Sequence, residues 1–258
     1  MKTSDAFLHW WWLGFFVGFG ILILLRSRSF GGFGCEIDAA CDSQQRISAA
    51  FERRRTAEPL SRWLVAPWGI ASIAIGVVAA VTHVLPVLLY ALMCLCGAIT
   101  FGVAYLHLRN LSEKRVAVLA ARSPFSAIPP LWFAAAMLSA LSILPFATQR
   151  DDAVPTLVVF FSTLATVAIS WRLTLLPAVL SGVDVPAEQA VDDRIRARRS
   201  SSVLFLALVQ PLAFSFQSSE LSAPVQVASL TICALSTIAL AVWMRNRPLV
   251  HLSTPQLA

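Results

Sequence analysis

Apolar residues of this chain occur in long blocks separated by short polar stretches. Each block is about 20 residues long, the length that an α-helix needs to cross the hydrocarbon core of a bilayer. The pattern therefore predicts seven transmembrane helices. They cover residues 7–25, 63–82, 86–106, 127–147, 153–173, 201–218 and 223–244.

The composition supports the same fold class. Hydrophobic residues make up 57% of the 258 residues and charged residues only 13%, whereas a soluble domain carries about 25% charged residues. Too few polar side chains remain to cover a water-soluble globule. We predict an all-α integral membrane protein in which residues 1–258 form a single membrane domain, because no connection between blocks is long enough for a stable core of its own.

Basic residues predict the orientation in the membrane. If the N-terminus is outside, only Lys2 and Arg150 of the 20 lysines and arginines fall on the outer side. Cytoplasmic loops carry such an excess of basic residues. The sequence therefore predicts an N-out, C-in protein of a bacterial cytoplasmic membrane. The net charge of +6 follows from this distribution, and we expect no binding to nucleic acid.

Two inner segments combine apolar residues with arginines. Residues 26–62 form an amphipathic segment in which Ile37 and Phe51 fall near one helix face, and residues 178–200 form a basic loop with Pro186 at a helix start. We predict short interfacial helices on the cytoplasmic face. Their arginines would contact anionic lipid headgroups or, alternatively, a soluble partner. These arginines are Arg46, Arg53, Arg54, Arg55, Arg194, Arg196, Arg198 and Arg199.

Metal and cofactor sites have weak sequence signals. Cys35 and Cys41 supply two good ligands where a structural zinc takes four, so we predict no metal site. We also expect no cofactor. One alternative stays open, in which His9 and His83 near the outer face ligate a haem iron.

Small residues in the first block indicate close helix packing. Gly14 and Gly18 form a G-x-x-x-G pattern, which lets two helix backbones approach each other in a membrane. The contact is either internal to the bundle or part of a homo- or hetero-oligomer.

The block at 201–218 is short and the most polar of the seven. Proline removes a helical hydrogen bond, and broken helices with polar side chains line substrate sites in many transporters. The alternative is a kinked helix whose amide groups bond to neighbouring helices. The residues of this predicted polar pathway are Gln210, Pro211, Ser215 and Gln217.

These observations leave three functional hypotheses. The sequence has no phosphate-binding loop, zinc-protease motif or nucleophile elbow, and the predicted spans contain no Asp, Glu or Lys. The first hypothesis is a non-catalytic subunit, scaffold or assembly factor of a membrane complex. The second is a permease or channel component for a small or amphipathic solute. The third is a haem-binding redox protein. We identify no catalytic residues.

Overall fold

A computed structural model describes residues 86–113, 128–148, 153–176, 185–217 and 223–245, together with single positions at 21, 49, 70, 73, 74 and 77. The five continuous stretches contain α-helices and no strand. These are α1 (Pro86–Glu113), α2 (Pro130–Ser142), α3 (Ala153–Thr174), α4 (Val185–Gln217) and α5 (Ala223–Arg245), with a 3₁₀ helix at Leu144–Thr148.

Four stretches among the described residues are long and apolar enough to cross a membrane. They are Val87–Leu106, Pro130–Thr148, Ala153–Thr174 and Pro224–Met244. These stretches coincide with four of the predicted spans. The helical fold class is thus confirmed for the described residues, and the length and apolar composition of these helices indicate an integral membrane protein. The predicted total of seven spans, the orientation and the interfacial helices stay predictions. The predicted spans 7–25 and 63–82 lie outside the described residues, apart from single positions.

Proline determines where several helices begin or end. Pro86 and Pro130 are the first residues of α1 and α2, a position where a missing N–H costs nothing because no helical acceptor is available. Pro145 follows the end of α2 and cannot donate to the carbonyl group one turn earlier. The chain there tightens into the 3₁₀ helix, where Phe146 N–H donates to the Ile143 carbonyl at 3.0 Å.

Helix α4 differs from the sequence-based division into a basic loop at 178–200 and a span at 201–218. It runs unbroken for 33 residues, or about 50 Å at 1.5 Å per residue. The junction around Arg198–Ser202 contains neither glycine nor proline, and arginine is a good helix former. The change from polar to apolar residues near residue 200 is therefore one end of the apolar block but not the end of a helix.

The helices pack around α3. Helix α3 contacts α1, α2 and α4, while α5 packs on α2 and α4. Apolar clusters fill the space between the described helices, and two of them are larger than the others. One contains Tyr90, Phe146 and Phe214. The other contains Phe133 and Leu240 with Leu204, Leu208 and their neighbours.

Candidate functional site

Gln210 of α4 lies inside the bundle, where three helices meet. Its side chain is 1% exposed. The Tyr90 hydroxyl of α1 donates to the Gln210 backbone carbonyl at 2.9 Å. The Thr163 hydroxyl of α3 lies 3.0 Å from Gln210 Oε1. Gln210, which the sequence singled out, is thus bonded to α1 through its backbone carbonyl and to α3 through its side chain.

The side-chain amide of Gln210 is incompletely bonded. The Thr163 hydroxyl also lies 2.8 Å from the Val159 carbonyl, and its single hydrogen can serve one acceptor at a time. Gln210 Nε2 has no hydrogen-bond partner among the described residues. A half rotation of the amide would let Nε2 donate to Thr163, but Oε1 would then take the unbonded position. One end of the amide keeps unused hydrogen-bonding capacity in both orientations.

A second polar group joins α2, α4 and α5. The Ser215 hydroxyl lies 2.9 Å from the Pro211 carbonyl, to which it donates, and 2.8 Å from the Ser229 hydroxyl. Ser142 Oγ lies 3.2 Å from Ser229 Oγ and 3.4 Å from Cys233 Sγ. Hydroxyl groups at the end of α2 and one turn after Pro211 are therefore bonded to α5.

The two groups adjoin each other, because Gln210 and Pro211 are consecutive residues of α4. We call them together the polar layer. It contains hydroxyl groups, one amide and one thiol, and none of its members is charged. Each of the five described helices contributes to it. Its members are Tyr90, Ser142, Thr163, Gln210, Ser215, Ser229 and Cys233.

Further hydroxyl groups line the face of α3 that packs inward. The hydroxyls of Ser170 and Ser200 lie 2.9 Å apart, and each lies within 2.8 Å of the backbone carbonyl of the other residue. This reciprocal contact ties α3 to α4 toward the opposite end of the helices from the polar layer. Within the described part of the chain, the buried hydroxyls of Ser139, Thr156 and Ser162 have no hydrogen-bond partner.

Arg196 is turned into the protein, although the sequence placed it with the arginines at lipid headgroups or a partner. Its side chain is 8% exposed and bonds to the buried carboxylate of Asp192. It also lies 3.5 Å from the carbonyl of Thr174, the last residue of α3. A cation there is favourable because the C-terminal carbonyl groups of a helix carry partial negative charge. Arg194, Arg198 and Arg199 are partly buried.

Three of the four residues of the predicted polar pathway lie close together in the structure. Several other predicted site residues lie outside the described residues. Gln210, Pro211 and Ser215 meet in or beside the polar layer. Gln217 ends α4, but its side chain lies outside what the structure describes. The other predicted site residues also lie outside the described residues: His9, Gly14, Gly18, Cys35, Cys41, Arg46, Arg53, Arg54, Arg55 and His83.

Sequence reasoning missed the partners of Gln210. One usable signal was the seven-residue spacing of Thr156, Thr163 and Ser170 in α3, since residues two turns apart lie on one helix face. That spacing predicts a hydroxyl-lined ridge but does not say which helix it meets. In the part of the chain that the structure describes, no group of three or more His, Cys, Asp or Glu could hold a metal ion.

The fold and the polar layer define an all-helical integral membrane protein whose described helices are joined by buried uncharged polar groups. Comparison with known proteins finds no matching family model, no matching curated protein and no matching solved structure.

Proposed function

We propose that this protein is a non-catalytic subunit, scaffold or assembly factor of a larger complex in a bacterial cytoplasmic membrane, with its N-terminus outside. The observation that carries the proposal is the polar layer. Gln210 and Ser215 are the polar side chains of the predicted pathway that the structure describes, and both bond to other helices. Interhelical hydrogen bonds in membranes contribute about 0.6 kcal/mol each. Several together favour one fixed arrangement of helices, which suits a protein that presents surfaces to partners.

The sequence supplies two surfaces for such partners. Gly14 and Gly18 lie on one ridge of the predicted first span and permit close approach of a second helix. Arginines of the inner segments other than Arg196 would contact anionic headgroups or a soluble partner, each contributing about 1 kcal/mol near a charged membrane surface. We take the glycine ridge as the contact to a partner subunit.

Replacing Gly14 and Gly18 by leucine is expected to release the partner subunit. Native mass spectrometry of the protein purified in mild detergent should show a complex of defined mass. Gly14→Leu/Gly18→Leu should lose that mass, because leucine side chains hold the two backbones apart. The control is Gly20→Leu, which adds one leucine side chain on a different face of the predicted helix. A monomer in the wild-type sample would contradict the proposal, as would a complex that survives the double substitution.

A second candidate function is a pathway for small solutes. One specific observation favours it, namely that Gln210 Nε2 lies inside the bundle without a partner in the described part of the chain. Transporters place such polar groups beside discontinuous helices. Helix α4 is continuous, but Pro211 directly follows Gln210 and removes one backbone hydrogen bond from the helix. Movement of the Pro211 region would then expose the amide to a passing solute.

Replacing Gln210 by leucine is expected to reduce solute flux at least tenfold if this second candidate is correct, since the substitution removes the amide and leaves a shorter, apolar side chain. Flux of glycerol and urea into proteoliposomes gives the measurement. The matched control is Gln189→Leu in the same helix, near the other end of α4. Equal flux in the wild type and Gln210→Leu would remove the pathway and leave the scaffold proposal untouched.

A further inference from the structure

Four buried polar side-chain atoms of the described residues have no hydrogen-bond partner, and three of them belong to α3 and α4. Gln210 has one free amide end at 1% exposure. The hydroxyls of Ser162 and Thr156 are also buried and lack a partner among the described residues, and both lie within two turns of Thr163 on α3. A polar group that is buried without a hydrogen bond costs free energy, because it has lost its hydrogen bonds to water and gained none in the protein. A molecule that supplies the missing bonds would recover that cost.

The chemistry of the surroundings limits what such a molecule can be. The polar layer offers hydroxyls, an amide and a thiol, which hydrogen-bond well but do not neutralise an ion. The described ion pair of Asp192 and Arg196 lies at the level of Thr174, eleven residues along α3 from Thr163, or about 16 Å. Among the described residues, a charged ligand beside Gln210 would find no counter-charge and would lose its hydration, which is unfavourable.

We propose that Gln210, Thr163 and Tyr90 form a binding site inside the bundle for a small uncharged molecule that both donates and accepts hydrogen bonds, such as a carboxamide or an alcohol. Gln210 presents either its N–H groups or its carbonyl oxygen, according to the orientation of the amide. Thr163 donates to Val159 or to Gln210 and adjusts to either orientation. Tyr90 holds the backbone of Gln210 in place through the 2.9 Å bond to its carbonyl. The site requires neither a partner subunit nor solute flux, so it is separable from both functions proposed above.

Acetamide and acetate provide a matched pair of probes because they have nearly the same shape and differ in charge. The measurement is the thermal unfolding midpoint of the purified full-length protein in detergent. A ligand with so few heavy atoms binds weakly, so the titration extends to about 100 mM. We expect acetamide to raise the midpoint by about 3 °C near saturation. Acetate at equal concentration and ionic strength should leave the midpoint unchanged.

Single substitutions test whether the acetamide-induced shift of the unfolding midpoint arises from binding at Gln210. Gln210→Leu should abolish the acetamide effect, and Thr163→Val should reduce it several-fold. Thr237→Val serves as the control, because its hydroxyl is buried in α5 and donates to the Cys233 carbonyl one turn earlier. It should keep the full shift. If Gln210→Leu does not fold, Thr163→Val carries the test.

Three results would overturn the proposal. The first is no shift of the wild-type midpoint with acetamide. The second is a shift of equal size in Thr163→Val or Gln210→Leu, which would place binding elsewhere. The third is an equal shift with acetate, which would show that charge is not selected against. The scaffold proposal depends on the mass of the native complex and the pathway proposal on flux, so neither is decided by these results.

Discussion

Phe214→Ala is expected to destabilise the folded protein by about 3 kcal/mol. Phe214 is fully buried in α4, and its ring meets that of Phe146 edge to face with centroids 5.8 Å apart. Bilayer hydrocarbon is as apolar as this interior, so transfer from water contributes little to the loss. The loss arises instead from the cavity and from the dispersion contacts that alanine cannot make. Equilibrium unfolding in mixed detergent micelles measures the effect.

Phe161→Ala is the matched control for that experiment. The same residue type in α3 has 61% of its surface exposed, so alanine leaves no internal cavity. We expect a change of less than about 0.5 kcal/mol. A loss as large as that of Phe214→Ala would show that Phe161 is covered in the folded protein. A negligible loss in Phe214→Ala would contradict the described packing of α4 against the 3₁₀ helix.

Arg196→Leu is expected to cost about 3 kcal/mol of folding free energy, because it removes the cation of a buried ion pair and leaves the carboxylate of Asp192 with less compensation. Asp192 is 5% exposed and Arg196 is 8% exposed. The substitution also removes the favourable cation at the C-terminal end of α3. The same unfolding experiment measures the loss.

The control for Arg196 is Arg172→Leu, an exposed arginine in the last turn of α3. We expect it to cost about 0.5 kcal/mol or less, since exposed charges are screened by solvent. Asp192→Leu combined with Arg196→Leu should cost less than the sum of the single substitutions, because two coupled groups are removed together. Strict additivity would show that the two side chains do not interact.

Four predicted spans coincide with helices that are long and apolar enough to cross a membrane. Their prediction required only the length of each apolar block. The predicted boundary between 178–200 and 201–218 does not correspond to a helix end. Hydropathy reports the environment that a residue prefers and not whether its helix continues. Helix α4 continues through Arg198 and Arg199 because nothing in that segment interrupts the backbone hydrogen bonds.

The candidate site was predictable in part. Gln210, Pro211 and Ser215 stood out as polar or helix-breaking residues in an apolar block. Tyr90 and Thr163 did not, although they contact Gln210 across 120 and 47 positions of the chain. Serine and threonine are common in membrane helices and often bond to their own backbone, as Thr231 and Thr237 do. Composition cannot tell such a residue from one that bonds to another helix.

The sequence by itself determined that the protein is helical and that these segments belong in a membrane, because hydropathy and block length are properties of each segment alone. Only the tertiary structure decided that Arg196 faces Asp192 and Thr174, and that the Gln210 amide meets Thr163 with one end unbonded. These contacts depend on the rotation and register of each helix. Packing between helices sets both, and no single segment contains that information.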